Sequence, residues 1–253
     1  MTTQPRGYGW IPDRPDSRDI KYSAPQQVIS NLPPKVDLRS QLPAVYEQGS
    51  IGSCTAQSIS AAFYFCQTKQ KIFSFEPSKL FTYYVTRDIE GTINQDCGAT
   101  LRNTIKSINK FGVCPESIWP YKPERLMVQP TPTCYDTASR HIAISYSQVT
   151  QSLRQLKGCL ASGFPFALGM TIYETFESEE VAKTGKLNLP WTNEQLVGGH
   201  AVLAVGYDDS QKRFILRNSW GKQWGMAGYF TVPYDYILNP DLAADFWTVR
   251  IVK

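Results

Sequence analysis

The sequence predicts an α+β protein with two lobes. Three observations lead there: segments of helical periodicity fill the first half, short apolar or alternating runs bounded by Gly, Pro and Asp fill the second, and no internal repeat divides the 253 residues. A chain of that length can bury one large core or two small ones. The expected organisation is an extended N-terminal segment over 1–31 and a folded domain over 32–253. Within that domain about 45–145 is helical and about 146–253 is strand-rich.

The elements follow in chain order. "GYGWIPDRPDSRDI" is dense in Pro, Asp and Arg, and proline both fixes φ and removes a donor, so a strap rather than a long helix is expected. "PKVDLRS" reads as an extended lead-in to the domain. In "TAQSISAAFYFCQTK", Ile59, Ala62, Phe63 and Cys66 recur at helical spacing, which predicts a buried helix starting near Thr55. "EPSKLFTYYVTRDIEG" and "TLRNTIKSINKFG" predict two more helices, the second stopped by Gly112. "SYSQVTQSLRQLKGCLASG" predicts another. "FPFALGMTI", "HAVLAVGYDD", "KRFILRNSW" and "GYFTVPYD" predict strands.

Composition removes several functional classes. The net charge of +4 is small and spread out, with no Lys/Arg run of the kind that binds nucleic acid. There is no run of about 18 apolar residues to span a membrane, and no apolar core of a secretory signal near the N-terminus. An intracellular or packaged setting, virion or cytosol, is expected ahead of a secreted one. The 6 cysteines contain no C-x-x-C, which speaks against a zinc ribbon or a thioredoxin-type site. Cys66 and Cys159 fall on apolar helix faces and read as core. Cys97, Cys114 and Cys134 flank loops, where one bridge among them stays open.

The remaining cysteine has an unusual address. In "QGSIGSCTAQS", Cys54 stands where a Gly/Ser turn gives way to a helix, just after Gln48. A thiolate nucleophile is stabilised there by the orphan N–H groups of the first turn. It needs a base, and only His141 and His200 are available. His141 reads as structural. His200 follows Gly198 and Gly199 and opens an apolar strand, which would hold its ring rigidly. Asn218, before Trp220 in "NSWGKQWG", carries an amide oxygen suited to fixing the second imidazole nitrogen.

Taken together, the order Gln48, Cys54, His200, Asn218 and the local strings resemble the papain-like cysteine peptidases, cathepsin-like enzymes of the C1 type. The family's usual Q-G-x-C-G-S-C-W-A-F-S stands here as "QGSIGSCTAQS", its histidine string resembles "GGHAVLAVGYDD", and N-S-W-G-x-x-W-G-x-x-G-Y is met in full by "NSWGKQWGMAGY". The likeness runs from about Leu32 to the C-terminus. Two positions depart from it: Ile51 replaces a usual cysteine, so its bridge is missing, and Thr55 replaces a tryptophan.

The resemblance implies a papain-like two-lobe fold, a helical left lobe and a β-barrel-like right lobe with the active-site cleft between them. It implies a thiol endopeptidase without metal or other cofactor, with Cys54, His200, Asn218 and Gln48 as its catalytic residues. Gln48 and the Cys54 N–H would hold the oxyanion. Gly98 and Ala99 would pair with substrate backbone, and Leu101, Gly169, Gly198, Gly199 and Trp220 would line subsites. Asp245 would put an acid at the base of an apolar pocket and admit a basic residue. Residues 1–31 would act as a short propeptide occluding the cleft of a zymogen, with Tyr8 and Trp10 as anchors. Expected partners are protein or peptide substrates and the chain's own N-terminal segment, and the protein is expected to be a monomer. Acyl transfer to an amine and a non-enzymatic peptide-binding homologue are the competing readings.

Overall fold

The structure, a computed structural model, describes residues 7–253; residues 1–6 of the N-terminal segment lie outside the described residues. That segment supplies β1 (Trp10–Ile11), β2 (Lys21–Tyr22) and the short helix α1 (Gln26–Ser30), followed by β3 (Lys35–Asp37). None of these pieces is long, as the proline density dictates.

Three helices then form one side of the molecule: α2 (Cys54–Gln70), α3 (Lys79–Glu90) and α4 (Leu101–Lys110), with β4 (Ala99–Thr100) leading into α4. The ends obey local chemistry. Ser78 Oγ accepts from Phe81 N–H and caps α3, which stops at Gly91 in the left-handed region, and Thr100 caps α4 in the same way. Helix α2 is buried on nearly every side up to Gln67, including Thr55, Gln57, Ser58, Ser60 and Gln67. It packs on α3 and α4 to one side and on the sheet to the other.

The rest of the chain is α5 (Pro132–Ala138), β5 (Ala143–Val149), α6 (Leu153–Ala161), β6 (Phe166–Tyr173), α7 (Glu179–Thr184), β7 (Leu196–Asp208), β8 (Arg213–Arg217), β9 (Tyr229–Pro233), α8 (Tyr234–Leu238) and β10 (Ala243–Val252). The strands form one sheet in the order β2-β5-β10-β6-β7-β8-β9, with β3 also on β7. Pairing among the described residues leaves this sheet open rather than closed on itself.

The helix expected from "SYSQVT" onward begins only at Leu153. Residues 143–149 are instead a strand, since "AISYSQV" alternates and finds partners on both sides, β10 antiparallel and β2 parallel. The expected boundary near 145 thus falls inside β5. Strand β10 went unrecognised because register shifts interrupt its pattern. All six cysteines are free among the described residues. Cys66 and Cys159 are core residues as expected, and Cys114 and Cys134 sit as thiols in one apolar cluster with Phe81 and Trp119.

Ser78 supports this helical side twice, capping α3 and donating to Trp119 O at 2.6 Å from a fully buried position. Ser78→Ala is expected to lower stability by about 1–2 kcal/mol, the cost of a lost cap plus an unpaired carbonyl. A lower urea midpoint with unchanged slope is the signature to measure.

Candidate active site

Cys54 is the first residue of α2, and its side chain is fully buried. Burial pushes the thiol up to about 11, opposed by the backbone N–H groups of Ala201, Gly9, Thr55 and Cys54 itself. The Ala201 contact sets the sulfur against β7 beside His200, which is buried and pairs across to Met170 on β6. His200 Nε2 lies 2.8 Å from Asn218 Oδ1, just past the end of β8. The same oxygen accepts from Ser219 N–H at 2.8 Å, which fixes which way the Asn218 amide faces. The Trp220 ring lies 5.2 Å from the His200 ring, backed by Phe176 and Trp224, and this wall keeps water off the His200–Asn218 bond.

Gln48 is clamped to the same loop. Its N–H donates to Ser219 O at 2.9 Å, and its Oε1 accepts from Ser219 Oγ. Its Nε2 donates to Ile51 O and to Gly7 O, both at 2.8 Å. The four residues picked from the sequence for catalysis therefore converge on one buried site from three stretches of the chain. His141 lies elsewhere, packed edge-on against Phe75 with ring centroids 4.7 Å apart.

The N-terminal strap runs through the groove beside this site. Strand β1 pairs in parallel with β4, and Gly9 O accepts from Ala99 N–H at 2.8 Å. Gly98 has a φ of +83°, and a Cβ there would stand 2.3 Å from Gly9 O, so only glycine allows the two backbones to meet. On the opposite wall the Trp10 indole covers Gly169, where a Cβ would stand 1.8 Å from the ring. Trp10 O lies against Gly199, Tyr8 covers Gly198, and Leu101 is buried in the same cluster as Trp10. Tyr8 also meets the His200 and Trp220 rings edge-on, at 5.8 and 5.9 Å.

Asp245 sits under Trp10. Its Oδ2 accepts from the Trp10 indole N–H at 3.0 Å and from Asp13 N–H at 2.8 Å. Asp245 adopts a φ of +59°, at a register shift of β10, and this local kink re-aims its carboxylate into the groove. Burial, and then the nearby Asp13, push its pKa up to about 6. Asp13 in turn accepts from Trp247 Nε1 at 2.8 Å and from Arg102 N–H at 3.1 Å. Asp19 receives Arg102 in a two-pronged ion pair, NH2 to Oδ2 at 2.7 Å and Nε to Oδ1 at 3.0 Å. Glu177 accepts from Tyr8 OH at 2.7 Å. Arg102, Asp13, Asp19 and Glu177 escaped the sequence reading, although the acid-rich "DRPDSRD" opposite an arginine at a helix start was a usable signal.

A buried thiol at a helix start, an imidazole held by an asparagine and a glutamine amide beside them are the features of one protease class. The family model for the papain family cysteine proteases matches residues 32–239, and the chain belongs to that family and is a peptidase. It is 43% identical to xylellain, a cysteine protease from Xylella fastidiosa, with a TM-score of 0.92 over 100% of this chain and 99% of that one. An uncharacterized peptidase C1-like protein of Acanthamoeba polyphaga mimivirus is 38% identical, over 99% of this chain and 89% of its own length. A digestive procathepsin L 3 of Tenebrio molitor larval midgut shares the fold, at 20% identity and a TM-score of 0.75 over 98% of this chain and 77% of that one.

A thiol ionising at about 11 stays protonated at neutral pH. Iodoacetamide at pH 7 is therefore expected to leave Cys54 of the full chain unmodified while it alkylates the exposed Cys97. Peptide mass mapping reads both sites in one digest, and the Cys54 rate should climb as pH rises toward 11.

Proposed function

We propose that the protein is a cysteine endopeptidase held latent by its N-terminal segment. The observation that carries this reading is that Gly7 O accepts from Gln48 Nε2 while Gly9 N–H meets the Cys54 sulfur, so one short stretch occupies both the oxyanion donor and the nucleophile. Prolines on either side of Asp13 lower the entropy cost of ordering the strap.

With the strap displaced, water reaches the groove and the burial that holds the thiol neutral is relieved. The Cys54 proton then passes to the His200 nitrogen not engaged by Asn218, leaving a thiolate at the positive end of α2 beside an imidazolium. The thiolate attacks a peptide carbonyl, and the oxyanion that forms takes hydrogen bonds from Gln48 Nε2 and the Cys54 N–H. His200 gives its proton to the leaving amine. Water, deprotonated by His200, then releases the acyl group, while Asn218 keeps the ring in plane throughout. Gly98 and Ala99 would pair with substrate backbone as they pair with Gly9. The pocket filled by Trp10 would take an apolar side chain or, through Asp245, a basic one.

An irreversible peptidyl epoxide followed by intact mass tests the whole scheme. One adduct on Cys54 is expected once residues 1–31 are removed, with little or none on the full chain. Equal labelling of both would end the latency reading, and no labelling of either folded protein would end the Cys54 nucleophile. Gln48→Ala in the strap-free enzyme should lower kcat by ~10²–10³ with the fold intact. In the full chain, Trp10→Ala removes a buried indole worth about 3–5 kcal/mol and should unmask Cys54 to the epoxide.

The same scheme fixes a pH dependence. Asp245 ionises near 6 under the strap, above the ~3.9 of an exposed carboxyl. The closed form therefore binds the proton more tightly. Closing is unpenalised below the exposed value and progressively penalised as pH rises through about 6. In Asp245→Asn an amide oxygen can accept the same two N–H groups without charge. At pH 7.5 the wild-type chain should label faster than D245N, and the ratio should fall toward one on acidification below 6.

A further inference from the structure

Beside Asn218 lies a cavity of about 10 Å3 lined by Tyr46, Gln57, Ser58, Ala201 and Asn218 among others. That is roughly the space one water molecule needs. Three of its walls carry polar atoms with no hydrogen-bond partner among the described residues: Tyr46 OH, Gln57 Oε1 and Asn218 Nδ2. All three side chains are more than nine-tenths buried, at 6%, 1% and 2% exposure, so bulk solvent does not satisfy them. Leaving three such groups unpaired at one spot would be costly.

Their chemistry is complementary. Asn218 commits Oδ1 to His200 and Ser219, which leaves Nδ2 as a donor. Gln57 commits Nε2 to Ser53 Oγ at 3.1 Å, which leaves Oε1 as an acceptor. Two direct partners would be an N–H and a C=O, yet a cavity separates them. The Tyr46 phenol is kept neutral by burial and retains its O–H. A water here accepts from Asn218 Nδ2 and Tyr46 OH and donates to Gln57 Oε1. Its second proton faces Ser58, whose hydroxyl donates to Thr55 O at 2.9 Å and keeps lone pairs.

We propose that this cavity is a built hydration site for one structural water joining Asn218 Nδ2 to Gln57 Oε1 and Tyr46 OH, and that Gln57 thereby acts as a positioning residue for the Asn218–His200 pair. Gln57 stands one turn beyond Cys54 on α2. The helix that carries the thiol at its start therefore also holds, through this water, the amide that orients the imidazole. Gln57 reaches outward as well, through Ser53 to Tyr121, whose OH donates to Gln48 O at 2.9 Å. The water ties the helix to the asparagine loop, and Gln48, bonded to Ser219, ties the stretch before the helix to the same loop. The role of the pair in turnover rests on the peptidase reading; the hydration site and the coupling to His200 do not.

Both parts are tested on the full chain without any activity assay. A crystal structure near 1.5 Å resolution should show one ordered water within about 3.2 Å of all three atoms. A dry or collapsed cavity overturns the proposal. With 2 histidines in the chain, 15N-histidine NMR isolates His200 once His141→Gln assigns the other signal. Gln57→Leu should shift the His200 Nε2–H resonance and speed its hydrogen exchange by about tenfold, the effect of one lost hydrogen bond. Tyr46→Phe, which removes a single oxygen, should move it less in the same direction, and Gln57→Glu, which keeps the acceptor, should stay near wild type. An unmoved His200 signal in folded Gln57→Leu overturns the positioning role, and if that variant does not fold, Tyr46→Phe decides. A failed peptidase assay with the water and these shifts in place would count against the peptidase reading alone.

Discussion

The near-complete burial of helix α2 from Cys54 to Gln67 is the constraint on which the rest of the structure depends. A helix enclosed by other helices on one side and a sheet on the other can start only at the seam between them. Cys54 is the residue at that start, so its address follows from packing before any chemistry is considered. The same enclosure accounts for the polar residues inside. Ser53, Thr55, Gln57, Ser58 and Ser60 are all buried on or just before α2, and each hydroxyl or amide must be answered locally or by water. The helix thus trades apolar contact for a set of directional bonds around the thiol. A looser arrangement would leave the Cys54 side chain mobile.

Charge follows the same logic of enclosure. The deep acids, Asp13, Asp19 and Asp245, come from opposite ends of the chain and meet beside a single guanidinium, Arg102. Arg102 forms a charged pair with Asp19 in a site where both side chains are largely shielded, at 10% and 6% exposure. Breaking a shielded pair by removing one partner leaves the other charge stranded, which is why such a contact discriminates sharply between docked and undocked states. Asp245 has no such cation of its own and rests on two N–H donors, and burial disfavours its ionisation as it does that of Asp13.

Much of this was legible in the sequence. Cys54 and Asn218 could be read because each sits where regular structure begins or ends, and Gln48 because it shares the Gly/Ser turn before Cys54. His200 was expected to open its strand but lies inside β7, which already starts at Leu196 because Gly198 and Gly199 also pair with β6. Gly98, Gly169 and Gly198 could be read because close approach of another group requires a missing side chain. The strap's anchors, Tyr8 and Trp10, stood out as aromatics in a segment without periodicity. What escaped reading was whatever depends on distant partners. Strand β10 looks irregular alone and becomes a strand only between β5 and β6. Arg102 looks like an ordinary surface arginine of an amphipathic helix until Asp19 arrives from more than eighty residues earlier. Gln57 and Tyr46 look like incidental polar residues, because nothing local shows that both face Asn218.

The strap is tied to the body beyond the groove as well, where β2 pairs with β5 and Ala24 N–H donates to Gln155. Residues 7–11 therefore cannot diffuse away when they detach. They remain on a short leash whose far end stays fastened, at an effective concentration on the order of millimolar. Reoccupation of the groove is then a first-order event, independent of how dilute the protein is. An external peptide of the same sequence would have to match that local concentration to compete. On the latency proposed above, lasting exposure of the groove would require a cut in the leash between Ile11 and Lys21, after which the freed fragment would dissociate into bulk solution and the advantage of tethering would disappear.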